Sequence, residues 1–468
     1  MPVSLFGSGV RMDCGWGTPE QISVCIDAAT RWLAVLINLA GLGSLALISV
    51  LIWLFQRLRK DLKRWEEEAE RNRELRRQAE DTARQAESRA TFAEAAVVRA
   101  QHDLDDMRKT AGASQDEIRS SLAGVQAELA EAHARLNGAL SLTAGGSAAF
   151  WSHPVEFPMD DYQRLIADSI PILLFGNQKG GVGKSTLVTN LAAAFAARGE
   201  RVLTVDLDYQ GSHSNLAQLQ SLKNNPAAET REPENMVPKS LVDHLFQDEL
   251  DANWPAYTIQ SVQPNLDYIP AFYDFEQTER RVEYLWALGL TNDDVRYRLA
   301  RTLLLGHVQD HYDRVLIDAP PRFTLGFVNG FCAATHMYVP TVVDALSALA
   351  VRAFAQQFRD LRPIVNPSLR WPAIVGTMTF PNPHNPLQLA AVASNYADRA
   401  ERIARARLGG NEPEFIRNPV IVRDATLARA TEHGIAYLSD NDSSVRVMFD
   451  ALASVIETQA PAKAPRRA

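Results

Sequence analysis

Residues 177–186 read Asn-Gln-Lys-Gly-Gly-Val-Gly-Lys-Ser-Thr, bringing three glycines, two lysines and two hydroxyl side chains into ten positions. Glycines let backbone N–H groups turn inward around a polyphosphate, and a lysine adds fixed positive charge. Read this way, Gly180, Gly181, Val182 and Gly183 form a cradle and Lys184 reaches the β- and γ-phosphates. Ser185 offers its hydroxyl to Mg²⁺, and Thr186 follows at the helix start. The chemistry is nucleotide binding. Such a loop works between a strand and a helix. The apolar run 171–175 reads as a short buried strand, and the Ala- and Leu-rich stretch 187–198 reads as the helix. That helix would aim the positive end of its dipole at the phosphates.

The loop departs from the common pattern, which places a glycine five positions before Gly183. Gln178 stands there, and a second lysine, Lys179, lies beside it. With Lys179 in that place the loop resembles that of the deviant Walker A ATPases, the ParA/MinD family. The resemblance implies that Lys179 reaches across a dimer to the opposite subunit's nucleotide, so that ATP joins two copies in a sandwich. Further segments follow in the family's order. Arg-Val-Leu-Thr-Val-Asp-Leu-Asp-Tyr-Gln at 201–210 resembles the second acidic motif. The resemblance puts Asp206 near the metal and gives Asp208 the positioning of the attacking water. Tyr209 stands where the family usually has proline, so this loop is expected to take a different shape. Asn-Leu-Asp-Tyr-Ile-Pro at 265–270 resembles the strand closing the family's variable insert. Tyr-Asp-Arg-Val-Leu-Ile-Asp-Ala-Pro-Pro at 312–321 resembles the Walker B strand, which implies that Asp318 holds Mg²⁺ through water. Phosphoryl transfer needs metal, positive charge and an oriented water, and these residues would supply them.

The resemblance covers 171–457, including a late segment at 415–425. Four or more βαβ units with near-continuous apolar strands predict an α/β fold, a doubly wound, mostly parallel sheet of the P-loop NTPase kind. Ligand would sit at the carboxyl ends of its strands. The longer, more polar stretch 218–264 reads as a variable insertion.

Ahead of this domain, 32–55 carries no charge, and at about 1.5 Å per residue it spans a hydrocarbon core of roughly 30 Å. Trp32 and Trp53 lie near its ends, as an aromatic belt would place them. The run is too long and begins too late for a cleaved signal peptide, and no small-residue cleavage site follows it. Arg57, Arg59, Lys60, Lys63 and Arg64 follow it, against Arg11 and Arg31 before. The positive-inside rule therefore predicts a single-pass inner-membrane helix, with residues 1–31 outside and the bulk of the chain in the cytoplasm. Cys14 and Cys25 then fall where a disulfide is permitted, two free thiols being as good a reading, and Cys332 falls on the reducing side.

Over 56–140 small or apolar residues recur in alternating steps of three and four: Ala79, Ala83, Ala86, Ala90, Ala93, Val97, Ala100, Leu104 and onward, resuming at Ile118, Leu122, Val125, Leu129. This spacing predicts a coiled coil. Gly145-Gly146-Ser147 and the prolines after it make 141–170 read as a linker, and 458–468 reads as a disordered tail.

A net charge of −8 describes an ordinary acidic protein rather than a nucleic-acid binder. Arg399, Arg402, Arg405 and Arg407 form one basic segment; such a run is ordinarily a solvated helix face, although members of the resembled family hold nonspecific DNA through surface arginines. The whole reading is a membrane-anchored, Mg²⁺-dependent ATPase that switches between open and closed dimers, joined by the coiled coil and by ATP, and acting on an unidentified protein partner. Two other classes compete. A tyrosine kinase of the polysaccharide-export kind calls for a second membrane helix and a C-terminal tyrosine cluster, and no tyrosine follows Tyr437. A nucleotide-binding scaffold would turn ATP over barely at all.

Overall fold

The computed structural model describes residues 94–105, 115–144, 150–155, 157–224, 241–247, 250, 252–379, 381–382, 384–423, 427, 434–439 and 443–463. The expected membrane span 32–55, Cys14, Cys25 and the start of the expected coiled coil lie outside the described residues. Among the described residues no helix is long and apolar enough to cross a membrane. By internal packing the chain divides into residues 1–125 and 126–468. Within the expected coiled coil, 94–105 and Gln115–Ala144 are helical. Along the second of these helices Leu122 and Leu129 are half-buried while Val125 is exposed.

Among the described residues the nucleotide-site domain has ten strands: β1 (Ile172–Phe175), β2 (Val202–Asp206), β3 (Gln260–Gln263), β4 (Leu266–Ile269), β5 (Arg314–Asp318), β6 (His336–Val342), β7 (Arg370–Thr377), β8 (Pro381–Asn382), β9 (Asn385–Leu389) and β10 (Glu414–Ile416). Eight form one sheet in the order β10-β7-β6-β1-β5-β2-β4-β3, while β8 and β9 make a separate hairpin. All neighbours in the large sheet run parallel except β3 against β4. The expected mostly parallel sheet is therefore present. Eight helices matter for the site: α1 (Met159–Asp168), α2 (Lys184–Ala197), α3 (Ser212–Asn224), α4 (Phe275–Ala287), α5 (Leu325–Ala333), α6 (Ala345–Val365), α7 (Ala391–Leu408) and α8 (Ser443–Gln459).

Successive strand residues feed two separate cores, because side chains alternate across a sheet. Ile172, Leu174, Leu203, Val205, Val315 and Ile317 face one side, where residues of α1, α4, α5 and α6 cover them. Leu173, Phe175, Val202 and Leu316 face the other, under α2 and α8. A helix caught between a sheet and another helix must be apolar nearly all round. The run Leu191 to Ala196 in α2, wholly or almost wholly buried, meets that demand with small side chains that let both neighbours approach.

Three boundaries differ from the sequence reading. First, the described residues of the expected linker 141–170 include helix and packed segments. The helix Gln115–Ala144 runs past residue 140, and 150–170 packs on the sheet through Trp151, Tyr162 and Ile166. Tyr162 and Ile166, one helical turn apart, form the buried face of α1, and the Tyr162 hydroxyl donates to the Cys332 carbonyl. Each such side chain brings roughly 1.5–3 kcal/mol of apolar burial, which no solvated linker would gain. Second, the chain stays packed beyond 457. Arg314, wholly buried in β5, needs acceptors, and finds them in Glu200, Glu457 and the carbonyl of Ala460, itself wholly buried. Third, the stretch 218–264 begins as the last turns of α3 and ends as the antiparallel edge strand β3. Cys332 is a buried free thiol.

Candidate functional site

The chain leaves the carboxyl end of β1 at Phe175 and reaches α2 at Lys184, three residues earlier than the expected helix start. Gly181 and Gly183 both lie in the left-handed region, with φ of 71° and 77°, where a side chain would be strained. Gly183 is also the N-cap of α2 and has no side chain with which to cap it. The first N–H groups of a helix have no partner within it, so this end is left for an external anion. The loop's flanks are fixed from outside: Thr377 Oγ1 donates to the Val182 carbonyl at 2.8 Å, and Asn177 Nδ2 donates to the Pro340 carbonyl at 2.6 Å. Lys184 is only 7% exposed, in the first turn of α2 together with Ser185 and Thr186.

Opposite this loop the sheet delivers three carboxylates. Asp206 and Asp318 are direct neighbours at the ends of β2 and β5, and both are wholly buried. Asp206 is already engaged: its oxygens accept from Ser214 N at 3.0 Å, Ser214 Oγ at 2.6 Å and Asp208 N at 3.0 Å. It thus organises the turn into α3 from its place beside Asp318. Asp208 caps the turn by accepting from Gln210 N at 3.1 Å. Asp318 differs, because neither of its oxygens completes a hydrogen bond. Burial pushes its carboxyl up to about 7, held back by the charge of Lys184 and the nearby Ser185 hydroxyl. Burial, with Asp318 beside it, drives Asp206 well above the carboxylate range, and burial also raises Asp208.

A buried carboxylate without partners is costly unless a cation arrives. An orphaned Asp318, a serine hydroxyl and the oxygens of a phosphate held in the cradle would make an all-oxygen donor set, which suits a hard dication that keeps several waters. The residues present fit Mg²⁺.

A family model described as an AAA domain matches residues 170–371. Over 214 residues the chain is 32% identical to the chromosome partitioning protein ParA of Caulobacter vibrioides, covering 46% of this chain and 72% of that one. The chain belongs to the ParA/MinD family of P-loop ATPases. It is also 23% identical over 263 residues to the chromosome-partitioning ATPase Soj of Treponema pallidum, covering 56% of this chain and 87% of that one. Among solved structures, the cell division ATPase MinD of Pyrococcus furiosus aligns at a TM-score of 0.42 with 18% identity, covering 62% of this chain and 99% of that one.

Within the single chain, Lys179 is held at the start of α6. Its ammonium lies 2.8 Å from Ser347 Oγ and 3.4 Å from Asp344 Oδ2, at the N-terminus of α6. Asp344 is the N-cap there, accepting from Ser347 N at 2.6 Å. Both partners of the pair are about a third or more exposed, so the pair contributes at most ~1 kcal/mol and is cheap to break. Asp344 and Ser347 carried no signal in the sequence. The basic segment on α7 is partly spent: Arg405 pairs with Glu401 at 2.6 Å and Arg407 donates to Gln356 at 2.8 Å, leaving Arg399 and Arg402 exposed.

His213 and Glu279 are two further residues that the sequence did not single out. His213 bridges Thr189 of α2 and Thr204 of β2 at 2.7 and 2.8 Å, and burial holds its ring down to about 3, so it stays neutral. Glu279 of α4 accepts from Thr324 Oγ1 and Gly326 N, both at 2.7 Å, at the start of α5. Burial lifts its carboxyl to about 8, against the pull of those donors and with a push from Glu283 and Asp208. A raised carboxyl favours the folded state while protonated. Its contribution is full below the unfolded value and is lost as pH climbs through about 8. The nucleotide-free protein should therefore melt at falling temperatures between about pH 4.5 and 8, with a shallower slope in Glu279→Gln. Equal slopes in calorimetric scans of the two would refute this assignment.

Proposed function

We propose that this chain is an Mg²⁺-dependent ATPase whose nucleotide-bound form closes on a second copy, and that 32–55 anchors it in the bacterial inner membrane with the catalytic domain in the cytoplasm. The observation that carries the ATPase reading is Asp318, a buried carboxylate lacking hydrogen-bond partners, set beside Lys184 and Ser185 at the end of the central strands. Magnesium bound there would neutralise charge gathering on the phosphates. In the reading, Lys184 and the open N-terminus of α2 hold the triphosphate, and Asp208 orients the attacking water. Lys179 gives up Asp344 and Ser347 to reach the nucleotide of the other subunit.

Val125, exposed on the seam between half-buried Leu122 and Leu129, supports pairing of the helices from two chains. Pairing would make closure of two ATPase domains intramolecular and raise their effective concentration. The names of the relatives from Caulobacter and Treponema support a role in partitioning or positioning a cargo, here through a protein partner at the membrane.

The test is ATP turnover by the full chain in detergent, with and without Mg²⁺, alongside sedimentation. Turnover should require Mg²⁺, and Asp208→Ala should lose it about 100-fold while accumulating a closed, ATP-bound dimer. A protein that stays open with saturating Mg²⁺ and ATP and releases no phosphate would defeat the proposal. Recovery of the full chain in the soluble fraction would defeat the membrane anchor.

A further inference from the structure

The segment that precedes the nucleotide-site domain is seated against the loop that follows Asp318. Trp151, 1% exposed, donates its Nε1–H to the carbonyl of Phe323 at 2.9 Å. Phe323 lies five residues after Asp318, in the connection from β5 to α5. Its ring packs on Phe327 of α5 at 4.3 Å, so the carbonyl and the ring are both held. The Trp151 ring stacks on Trp286 of α4 at 5.1 Å and 15°. Helix α4 also supplies Glu279 and Glu283, whose carboxyl groups accept from Thr324, Leu325 and Gly326. One frame, made of residues around 151 and of α4, therefore grips four consecutive residues, Phe323 to Gly326, at the end of that loop and the start of α5.

The segment is itself captured by a built receptor. Arg296, 1% exposed along its side chain, donates to the carbonyls of Trp151 at 2.9 Å, His153 at 2.6 Å and Pro154 at 3.3 Å. Asp294 pairs with the same guanidinium, which also lies 5.4 Å from the centre of the Trp286 ring. A buried arginine spent on three backbone carbonyls fixes where that backbone runs, whatever the side chains do. Phe150, packed edge-on against Trp151 and Trp286, closes the cluster.

We infer that Trp151 is a positioning residue for ATP hydrolysis: by holding the Phe323 carbonyl it sets the loop after Asp318, and the seating of 150–154 tunes turnover. The inference rests on the ATPase reading above. Its test compares Trp151→Phe, which keeps an aromatic ring but loses the N–H donor, with Trp286→Phe, which weakens the stacking but leaves that donor in place. In the full chain, Trp151→Phe should lower kcat about fivefold or more with KM for ATP within about twofold, and Trp286→Phe should lower Tm with kcat within about twofold. An unchanged kcat in Trp151→Phe, or an equal fall in both variants, overturns the inference and leaves a merely structural cluster.

Hydrogen exchange on the unsubstituted chain gives a second reading that needs no variant to fold. Adding Mg²⁺ and a non-hydrolysable ATP analogue should slow exchange in 150–158 and 319–326 together. Slowing in 319–326 alone overturns this inference. No slowing anywhere overturns the nucleotide-binding reading and this inference with it.

Discussion

Lys184→Ala should weaken ATP binding at least about 100-fold, equivalent to roughly 2.7 kcal/mol, as read by calorimetric titration. Lys184 sits at the start of α2 and is nearly buried, so its charge is screened little by solvent. It offsets the burial of Asp318 and Asp208, both of which it pulls toward the ionised form. Its loss removes a positive charge that acts on both carboxyls, just where triphosphate must add more negative charge. The fall should appear with or without Mg²⁺, because the side chain would meet phosphate oxygens directly. Affinity within a few-fold of the parent would show that the 177–186 loop is not the triphosphate site.

Asp318→Asn should move stability and activity in opposite directions. The parent buries a carboxylate with no hydrogen-bond partner next to Asp206 and near Asp208, a costly arrangement in the nucleotide-free protein. Replacing it with a neutral amide should stabilise the nucleotide-free protein by about 1–3 kcal/mol at pH 8, where the parent side chain is charged. Turnover should fall by about 100-fold or more, since the proposed metal site would lose its carboxylate. The sign of the pH effect follows from the raised carboxyl. Its stabilising share is present while it is protonated and goes as pH rises through about 7, so the gain from asparagine should shrink toward pH 5. Chemical denaturation of both proteins at the two pH values checks this. An asparagine variant less stable than the parent at pH 8 would mean that Asp318 has partners in solution.

The nucleotide loop and its strands were legible because their signals are local. Apolar runs end at the loop and at Asp206 and Asp318, because a parallel strand buried on both faces is largely apolar up to its carboxyl end. Long-range pairing was not legible. Trp151 and Tyr162 find their partners more than 160 positions later, at Phe323 and Cys332, whereas the local cues around them are glycines and prolines. Lys179 was readable as a feature of its loop, but its hold on Asp344 spans 165 positions and belongs to the fold. Strand β3, Gln-Ser-Val-Gln, is an edge strand and carries too little apolar character to declare itself. Ala460 is buried because Arg314 needs an acceptor, a demand that only the assembled sheet creates.

The packing of 150–168 bears on where this protein can be cut. The family match begins at residue 170, yet a polypeptide started there would lack Trp151, Tyr162 and Ile166. It would bare the ring of Trp286 and the flank of Tyr297, and leave Arg296 with no carbonyls to grip. Large apolar areas uncovered in this way invite aggregation. A fragment meant for crystals or assays should start upstream of Phe150.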